Sequence, residues 1–327
     1  RRRPGKSMLA TSRKETDEFE ILSGYFQGRT TGSPLCAVIF NRDSQSGDYD
    51  ELKKLPRPGH ADYTAFVKYK GFNDYRGGGH FSGRLTAPLV FAGAVAKLVL
   101  RLRNVQIASH IKSIHDVCDE SFNSVNINTT LLEKLRNSDF PVLDETAGHK
   151  MKERILAAKN EMDSVGGIIE TMILNLEPGL GSPLFDGVES RLAHALFSIP
   201  AVKGVEFGEG FNITKMRGSQ ANDEFILAAD KIVTSTNYNG GILGGITSGM
   251  PVVFRVAIQP TPSIGISQKT VDMDKKQETT ITVKGRHDPC IVPRAVPAIE
   301  AASAVVMLDL LLEREGESGL TGGVKEV

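Results

Sequence analysis

The sequence is poor in cysteine: Cys36, Cys118 and Cys290 are its only three, with no CxxC or other metal-type spacing among them. An odd, scattered set of this kind excludes a disulfide framework and a zinc site as organising devices, and a reducing cytosol fits it best. Net charge is lacking too, because 39 Lys and Arg balance 39 Asp and Glu. Such a chain has no long-range field to draw it onto nucleic acid or an anionic membrane, so any anion it binds must be gripped by a local cluster. The longest apolar run, around Ala87 to Leu100, is interrupted by Lys97 and falls short of the roughly 20 residues that span a bilayer. No membrane partner is expected, and the chain reads as soluble. The opening Arg1-Arg2-Arg3-Pro4-Gly5 has neither an initiator Met nor the apolar core of a signal peptide, and reads like the middle of something. There is no repeat at a fixed period and no regular βαβ cadence of a doubly wound sheet.

What is present is ordinary globular composition. At 327 residues, with 40% hydrophobic and 24% charged, the chain can bury a large core as one big domain or two smaller ones. Glu20 to Leu22 and Leu35 to Asn41 read as short strands around the turn Gly28-Arg29-Thr30-Thr31-Gly32, as in a hairpin or meander. Leu85 to Arg103 reads as a helix with few polar faces, hence a buried one. Between Thr146 and Met162, apolar Met151, Ile155, Leu156 and Met162 recur at helical spacing opposite charged residues, which predicts a surface helix. Ile168 to Leu176 is a run of Ile, Met and Leu, and Glu189 to Phe197 is helical, ended by Pro200. Val202 to Phe207, Pro251 to Gln259 and Glu278 to Lys284 are strand candidates, and Val296 to Glu315 is a long closing helix. The pattern is lost after Glu315, so a mobile tail over 315–327 is expected behind a domain over 1–314.

Four segments join backbone freedom to groups that hold anions. Arg57-Pro58-Gly59-His60-Ala61-Asp62 would present an Arg and a titratable His on a rigid turn; the alternative is a surface turn with a solvated His. Asp74-Tyr75-Arg76-Gly77-Gly78-Gly79-His80-Phe81-Ser82-Gly83-Arg84 leads into the long apolar helix, where backbone N–H groups and the helix dipole meet an anion, unless it is a flexible linker. It is neither a Walker A loop nor a strand-borne GxGxxG. Asn237 to Ile246, with its paired glycines, runs through a strand to Pro260-Thr261-Pro262-Ser263; it suits close approach to a flat ligand or a tight bend needed for packing. Gly285-Arg286-His287-Asp288-Pro289-Cys290, followed by Arg294, places a positive charge near a candidate base, or is a solvated ion pair.

Taken together and in order, RRRPG, EILSG, TTG, RPGHADY, DYRGGG, SGR, AVKGVEFG, GGILGGI, PTPS and GRHDP resemble the chorismate synthase family along nearly the whole chain. The resemblance implies an anti-1,4-elimination in which 5-enolpyruvylshikimate 3-phosphate loses phosphate and a ring hydrogen, with reduced FMN required although no net redox change occurs. It implies an α+β fold, one domain built as a β-α-β sandwich whose helices cover antiparallel sheets, and a homotetramer in the cytoplasm, either self-sufficient with NADPH or served by a separate flavin reductase. By the same resemblance Arg2, Arg57 and Arg84 bind substrate, His60 acts as an acid toward the leaving phosphate, and Asp288 assists proton removal near the flavin. Flavin contacts carry over to His80, Phe81, Ser82, Pro200, Ala201, Gly244, Gln259, Pro260, Thr261, Pro262, Ser263 and Arg286, and no metal is implied. The chain departs from the family at His80-Phe81, where Arg-Ser is frequent, at Gln259, where Lys is frequent, and at Met8, where many relatives have an Arg. It also shows no match to the Gly-Glu-Ser-His-Gly block that opens the family and carries a second acid histidine, so the expectation is either that such a segment precedes Arg1 or that the chain is a truncated one. Rival readings are another FMN-dependent protein with different arginines and a polyanion or RNA binder using the Arg-rich start and the Arg76–Gly79 loop, the latter disfavoured by neutral charge and the lack of an RNP-like motif.

Overall fold

The computed structural model describes residues 2–5, 9–10, 15–41, 53–126, 128–283 and 288–320. The chain begins with a hairpin, β1 (Phe19–Ser23) against β4 (Cys36–Ile39), holding a smaller one, β2 (Tyr25–Phe26) against β3 (Arg29–Thr30), at its tip. After α1 (Asp62–Lys68) and α2 (Thr86–Leu102) come the strands of the main sheet: β5 (Gln106–Ile114), β6 (Val117–Cys118), β7 (Gly167–Leu174), β8 (Val202–Phe207) and, later, β13 (Val252–Ile258). They order as β6-β5-β7-β13-β8, with every neighbouring pair antiparallel. Helices α3 (Thr129–Asn137), α4 (Glu145–Asn160), α5 (Val188–Phe197) and α6 (Gly218–Ala221) fill the connections. The hairpins β9–β10 (Phe225–Ala228, Lys231–Thr234), β11–β12 (Ile242–Leu243, Ile246–Thr247) and β14–β15 (Gln268–Asp272, Gln277–Ile281) are peripheral, and α7 (Val292–Leu320) closes the fold.

The main sheet is covered on both faces, and the period-2 geometry of a strand sorts its side chains between them. Ile107, Ile111, Ile169, Ile173, Val252, Phe254 and Val256 join Val296, Ile299 and Met307 of α7 in the principal core. Their neighbours Ala108, Met172 and Val253 face the other way, against Leu132 and Leu135 of α3 and Phe122. Helix α2 packs along α7, and Phe91 of α2 meets Phe19 of β1 with ring centroids 5.0 Å apart. The layers are therefore sheet, helices, hairpin, the α+β sandwich anticipated from the sequence.

Two helices differ from their sequence reading in informative ways. Only the stripe Ala87, Gly93, Ala96 and Leu100 of α2 is buried, while Leu98 and Leu102 are 62% and 84% exposed. The expectation of a buried helix is corrected to a half-covered one, because α7 shields a single face. Lys97, which breaks the apolar run, reaches the buried Glu300 of α7 at 2.5 Å. By length and composition alone, the segments Gly83–Leu102 and Val292–Gly316 are apolar enough to cross a membrane; the second is 67% buried inside the protein. Helix α7 begins at Val292, four residues before its apolar pattern, and continues to Leu320, past Glu315. Helix α4 matches its reading in part: Asp144 caps it by accepting from Thr146 N–H (2.8 Å), and Met151 and Ile155 are wholly buried, but Leu156 is exposed and Met162 lies beyond the helix end at φ +58° and is exposed too.

The α2–α7 crossing depends on Gly93. A Cβ there would lie 2.3 Å from Cβ and 2.4 Å from Cα of Ala301, so the helix axes can approach this closely only with hydrogen at that position. Gly93→Val is expected to cost about 1–3 kcal/mol through overpacking, read as a fall in the urea midpoint with an unchanged m-value.

A buried polar cluster crosses the main sheet. His110 of β5, fully buried, has Nε2 2.9 Å from Glu170 Oε2 of β7 and Nδ1 3.2 Å from Asp119 Oδ2. Glu170 also accepts from Phe122 N–H (2.7 Å) and lies 3.6 Å from Arg255 of β13, which binds Glu206 of β8 at 2.6 Å. Asp119 accepts from Glu120, Leu143 and Asp144 N–H. The cluster ties four strands together and lies outside the cavity described next.

Candidate active site

A cavity of about 1000 Å³ opens where α2 and α7 begin, beside the start of β8 and the end of β13. Its walls come from stretches far apart in sequence, and it receives the N-terminal ends of two long helices, where unpaired N–H groups and the helix dipole favour anions.

The first wall is the turn Arg57-Pro58-Gly59-His60, closed by His60 N–H to Arg57 C=O (3.2 Å). Gly59 sits at φ +70°, the conformation a Pro-Gly type II turn requires of its third residue, and a Cβ there would be 3.4 Å from Pro262. The turn is thus pressed against the Pro260–Ser263 segment, 200 residues away. Arg57 is buried and donates Nη1 to Ser263 Oγ (2.9 Å). Its Nε and Nη2 donate to the two oxygens of Asp62, each at 2.8 Å, and His60 Nδ1 is 2.7 Å from Asp62 Oδ1. Burial by itself would raise the Asp62 carboxyl, but hydrogen bonds from Arg57 and His60, with their charges, hold it well below the usual carboxylate range.

The second wall is the glycine segment. Arg76–Phe81 forms a 3-10 run rather than an open loop, and Gly79 at φ +50° is so close to Asp74 C=O that a Cβ would lie 2.3 Å from it. Asp74 binds Arg76 with both oxygens at 2.8 Å and is lowered to about 2 by those hydrogen bonds. Ser82 then turns extended, and its Oγ accepts from Arg84 N–H (3.3 Å), starting the short turn that leads into α2. His80, Phe81, Ser82 and Arg84 all line the cavity.

Opposite lie Pro200 and Ala201, and Gln259 with Thr261, Pro262 and Ser263. Ala201 is held at φ +75°, a strained conformation for a residue with a Cβ, and its C=O accepts from Gln259 N–H (2.9 Å), joining the starts of the two segments. Thr261 Oγ1 is buried with no hydrogen-bond partner among the described residues. The last wall is Asp288 with Arg294 of α7. Arg294 Nη1 pairs with Asp288 Oδ2 and its Nε donates to Arg2 C=O (2.9 Å). Arg2 is itself buried and ion-paired to Asp17.

The cavity therefore gathers Arg2, Arg57, His60, His80, Phe81, Ser82, Arg84, Pro200, Ala201, Gln259, Thr261, Pro262, Ser263 and Asp288. Two expected contacts are not on its wall. Pro260 is exposed, its neighbours alone facing inward. Gly244 forms the turn of the β11–β12 hairpin at φ +61°, with Gly245 at φ +84°, and the Gly245 C=O accepts from Val188 N–H at the start of α5. The glycines before it serve packing: a Cβ on Gly240 would lie 2.5 Å from Gly208 N and one on Gly241 2.3 Å from Pro251 C=O. Arg286 and Met8 lie outside the described residues. Asp62, Arg294 and Asp17 had no role assigned from the sequence; the signal for Asp62 was its place in the same turn block as His60.

A chorismate synthase family profile matches residues 1–312. This chain belongs to the chorismate synthase family. The chorismate synthase of Thermococcus kodakarensis is 49% identical over 320 residues, 98% of this chain and 88% of that one. That of Dehalococcoides mccartyi is 46% identical over 312 residues, covering 95% and 85%. A solved structure titled "Crystal Structure of Chorismate Synthase" superposes with a TM-score of 0.71 at 31% identity, covering 91% of this chain and 79% of the other. The activity is accordingly that of a chorismate synthase, a carbon–oxygen lyase of the shikimate pathway that acts on a small phosphorylated molecule.

Proposed function

We propose that this cavity holds reduced FMN and 5-enolpyruvylshikimate 3-phosphate together, with His60 and Asp288 serving the two proton movements of the elimination. The observation that carries the reading is the convergence of Arg2, Arg57, Arg84 and Arg294 on one cavity in a chain of zero net charge. A phosphate and carboxylates need guanidinium partners in a partly desolvated space, and the fork of Arg suits both.

The chain's own groups fit a flavin. The partnerless Thr261 Oγ1 offers a hydrogen bond, Phe81, Pro200, Ile291, Ala295 and Ala298 supply apolar surface for a ring system, and Gln259, Pro262 and Ser263 complete the segment beside Thr261. Bound reduced flavin supplies transient electron donation, which lets phosphate leave without net redox change. Arg57 and Arg84 orient the anionic substrate. His60, as imidazolium, gives a proton to the departing phosphate. Asp288, paired with Arg294, assists proton removal from the facing wall.

The assembly as a homotetramer, a cytoplasmic setting and the supply of reducing equivalents by NADPH or a separate reductase follow the family resemblance. Support for a reducing compartment comes from the cysteines, which are unpaired; the Cys290 thiol is pushed up to about 12 by burial and is inert. Incubated anaerobically with reduced FMN, the full-length protein is expected to release inorganic phosphate from enolpyruvylshikimate phosphate and to form chorismate stoichiometrically. Absence of phosphate release under those conditions counts against the reading.

A further inference from the structure

We propose that Asp62 is the positioning residue of this site, a single carboxylate that sets both the direction of the Arg57 fork and the tautomer of His60. Asp62 Oδ2 accepts from Arg57 N–H (3.0 Å) and Nε (2.8 Å), and Oδ1 accepts from Nη2 (2.8 Å). With Nη1 donated to Ser263, every nitrogen of the guanidinium has a fixed partner, so the cation is delivered to the cavity in one orientation. Asp62 is the first residue of α1, which anchors the carboxylate to a helix rather than to the turn it organises.

The ring of His60 is held by the same oxygen. Arg57 Nη2 is 3.0 Å from Nδ1 and 3.2 Å from Nε2. Near-equal distances to two nitrogens on either side of one carbon put the guanidinium over the ring face, since an in-plane approach would collide with that carbon. The partner of Nδ1 is then Asp62 Oδ1, at 2.7 Å. An ionised carboxylate only accepts, so the hydrogen sits on Nδ1 and Nε2 is left for a ligand. Nε2 is thereby the atom that exchanges a proton with whatever the cavity binds. A carboxylate that is ionised throughout the working pH range performs this role without itself titrating.

The consequence for turnover rests on the cavity being the reaction site, whereas the tautomer does not, and it is read without substrate. The test is long-range ¹H–¹⁵N correlation of the imidazoles in the intact protein, with the His60 signals assigned by their loss in His60→Gln. At a pH alkaline enough to make the imidazole neutral, the wild-type ring is expected to carry its hydrogen on Nδ1, changing to the Nε2-protonated form in Asp62→Ala. In the same variant, phosphate release is expected to fall about 10²-fold in kcat with a raised KM for the phosphorylated substrate and unchanged flavin affinity. A wild-type ring protonated at Nε2, or a tautomer that Asp62→Ala leaves as it was, overturns the proposal. The wild-type spectrum decides it even if the variant does not fold. A shifted tautomer in a protein whose wild type releases no phosphate upholds the positioning role and removes only the assignment of the cavity.

Discussion

His110→Leu is expected to destabilise the protein by about 3–5 kcal/mol, the cost of leaving buried charges without their partner. His110 lies between Glu170 and Asp119 with no exposed surface, and leucine would leave two carboxylates in the sheet with only backbone N–H groups and the more distant Arg255 to hold them. Burial alone would lower the affinity of His110 for its proton; hydrogen bonds and charge from Asp119 and Glu170 outweigh it and raise the group above its ordinary value. The same contacts keep Asp119 and Glu170 below theirs, against the burial that would raise them.

The signs then follow by linkage. A raised His contributes stability that is full below its unfolded value of about 6.5 and is lost as pH rises through the higher folded value. The two lowered carboxylates contribute stability that is present above their unfolded values, near 4, and is lost on acidification through the folded ones. The gap between wild type and His110→Leu, measured by urea unfolding across pH, is therefore expected to be widest at mildly acidic pH, between about 4.5 and 6.5, and to narrow both toward alkaline pH and on further acidification. The double replacement His110→Leu with Glu170→Gln is expected to recover part of the loss, because it removes a buried charge along with its partner. A single variant as stable as wild type at pH 7 would mean that the cluster carries no net charge coupling.

His60→Ala is expected to lower turnover by about 10²–10⁴-fold, the usual contribution of a positioned general acid, while flavin affinity stays unchanged. The argument is geometric. Removing the ring leaves Asp62 still bound to Arg57 through Nε and Nη2, and Arg57 still bound to Ser263. The substrate-orienting fork survives, so the loss falls on kcat more than on KM. Steady-state phosphate release alongside flavin titration distinguishes this from equal losses in both, which would assign His60 a structural role.

Much of the fold was legible along the chain because it depends on near neighbours. The β1–β4 hairpin, α4, α5, β7, β8 and β13 lie close to the stretches read as strand or helix, since apolar periodicity and turn residues are local signals. Strand β5 left no such signal: Gln106–Ile114 holds Ser109, His110 and Ser113 among its buried residues. Those polar side chains are tolerable there only because Thr171, Glu170 and Asp119 come from elsewhere to bond two of them. Likewise the half-exposure of α2 follows from α7 covering one stripe, which its own composition does not encode.

For the site, the sequence by itself determined which residue types stand on which turns: Arg and His on a Pro-Gly turn, Ser and Arg after three glycines, and Asp288 six residues before Arg294. Proline fixes φ and glycine accepts positive φ without strain, and so the tendency of these segments to turn is a local property of the residues themselves. Only the tertiary structure decided which turns face one cavity. It brought residues 2, 57, 84, 259, 261–263 and 288 together, left Gly244 and Pro260 off the cavity wall, and gave Asp62 and Arg294 their partners. Hydrogen bonds between groups 200 residues apart, as between Arg57 and Ser263, follow from the packing of the layers and from nothing in the residues' own neighbourhoods.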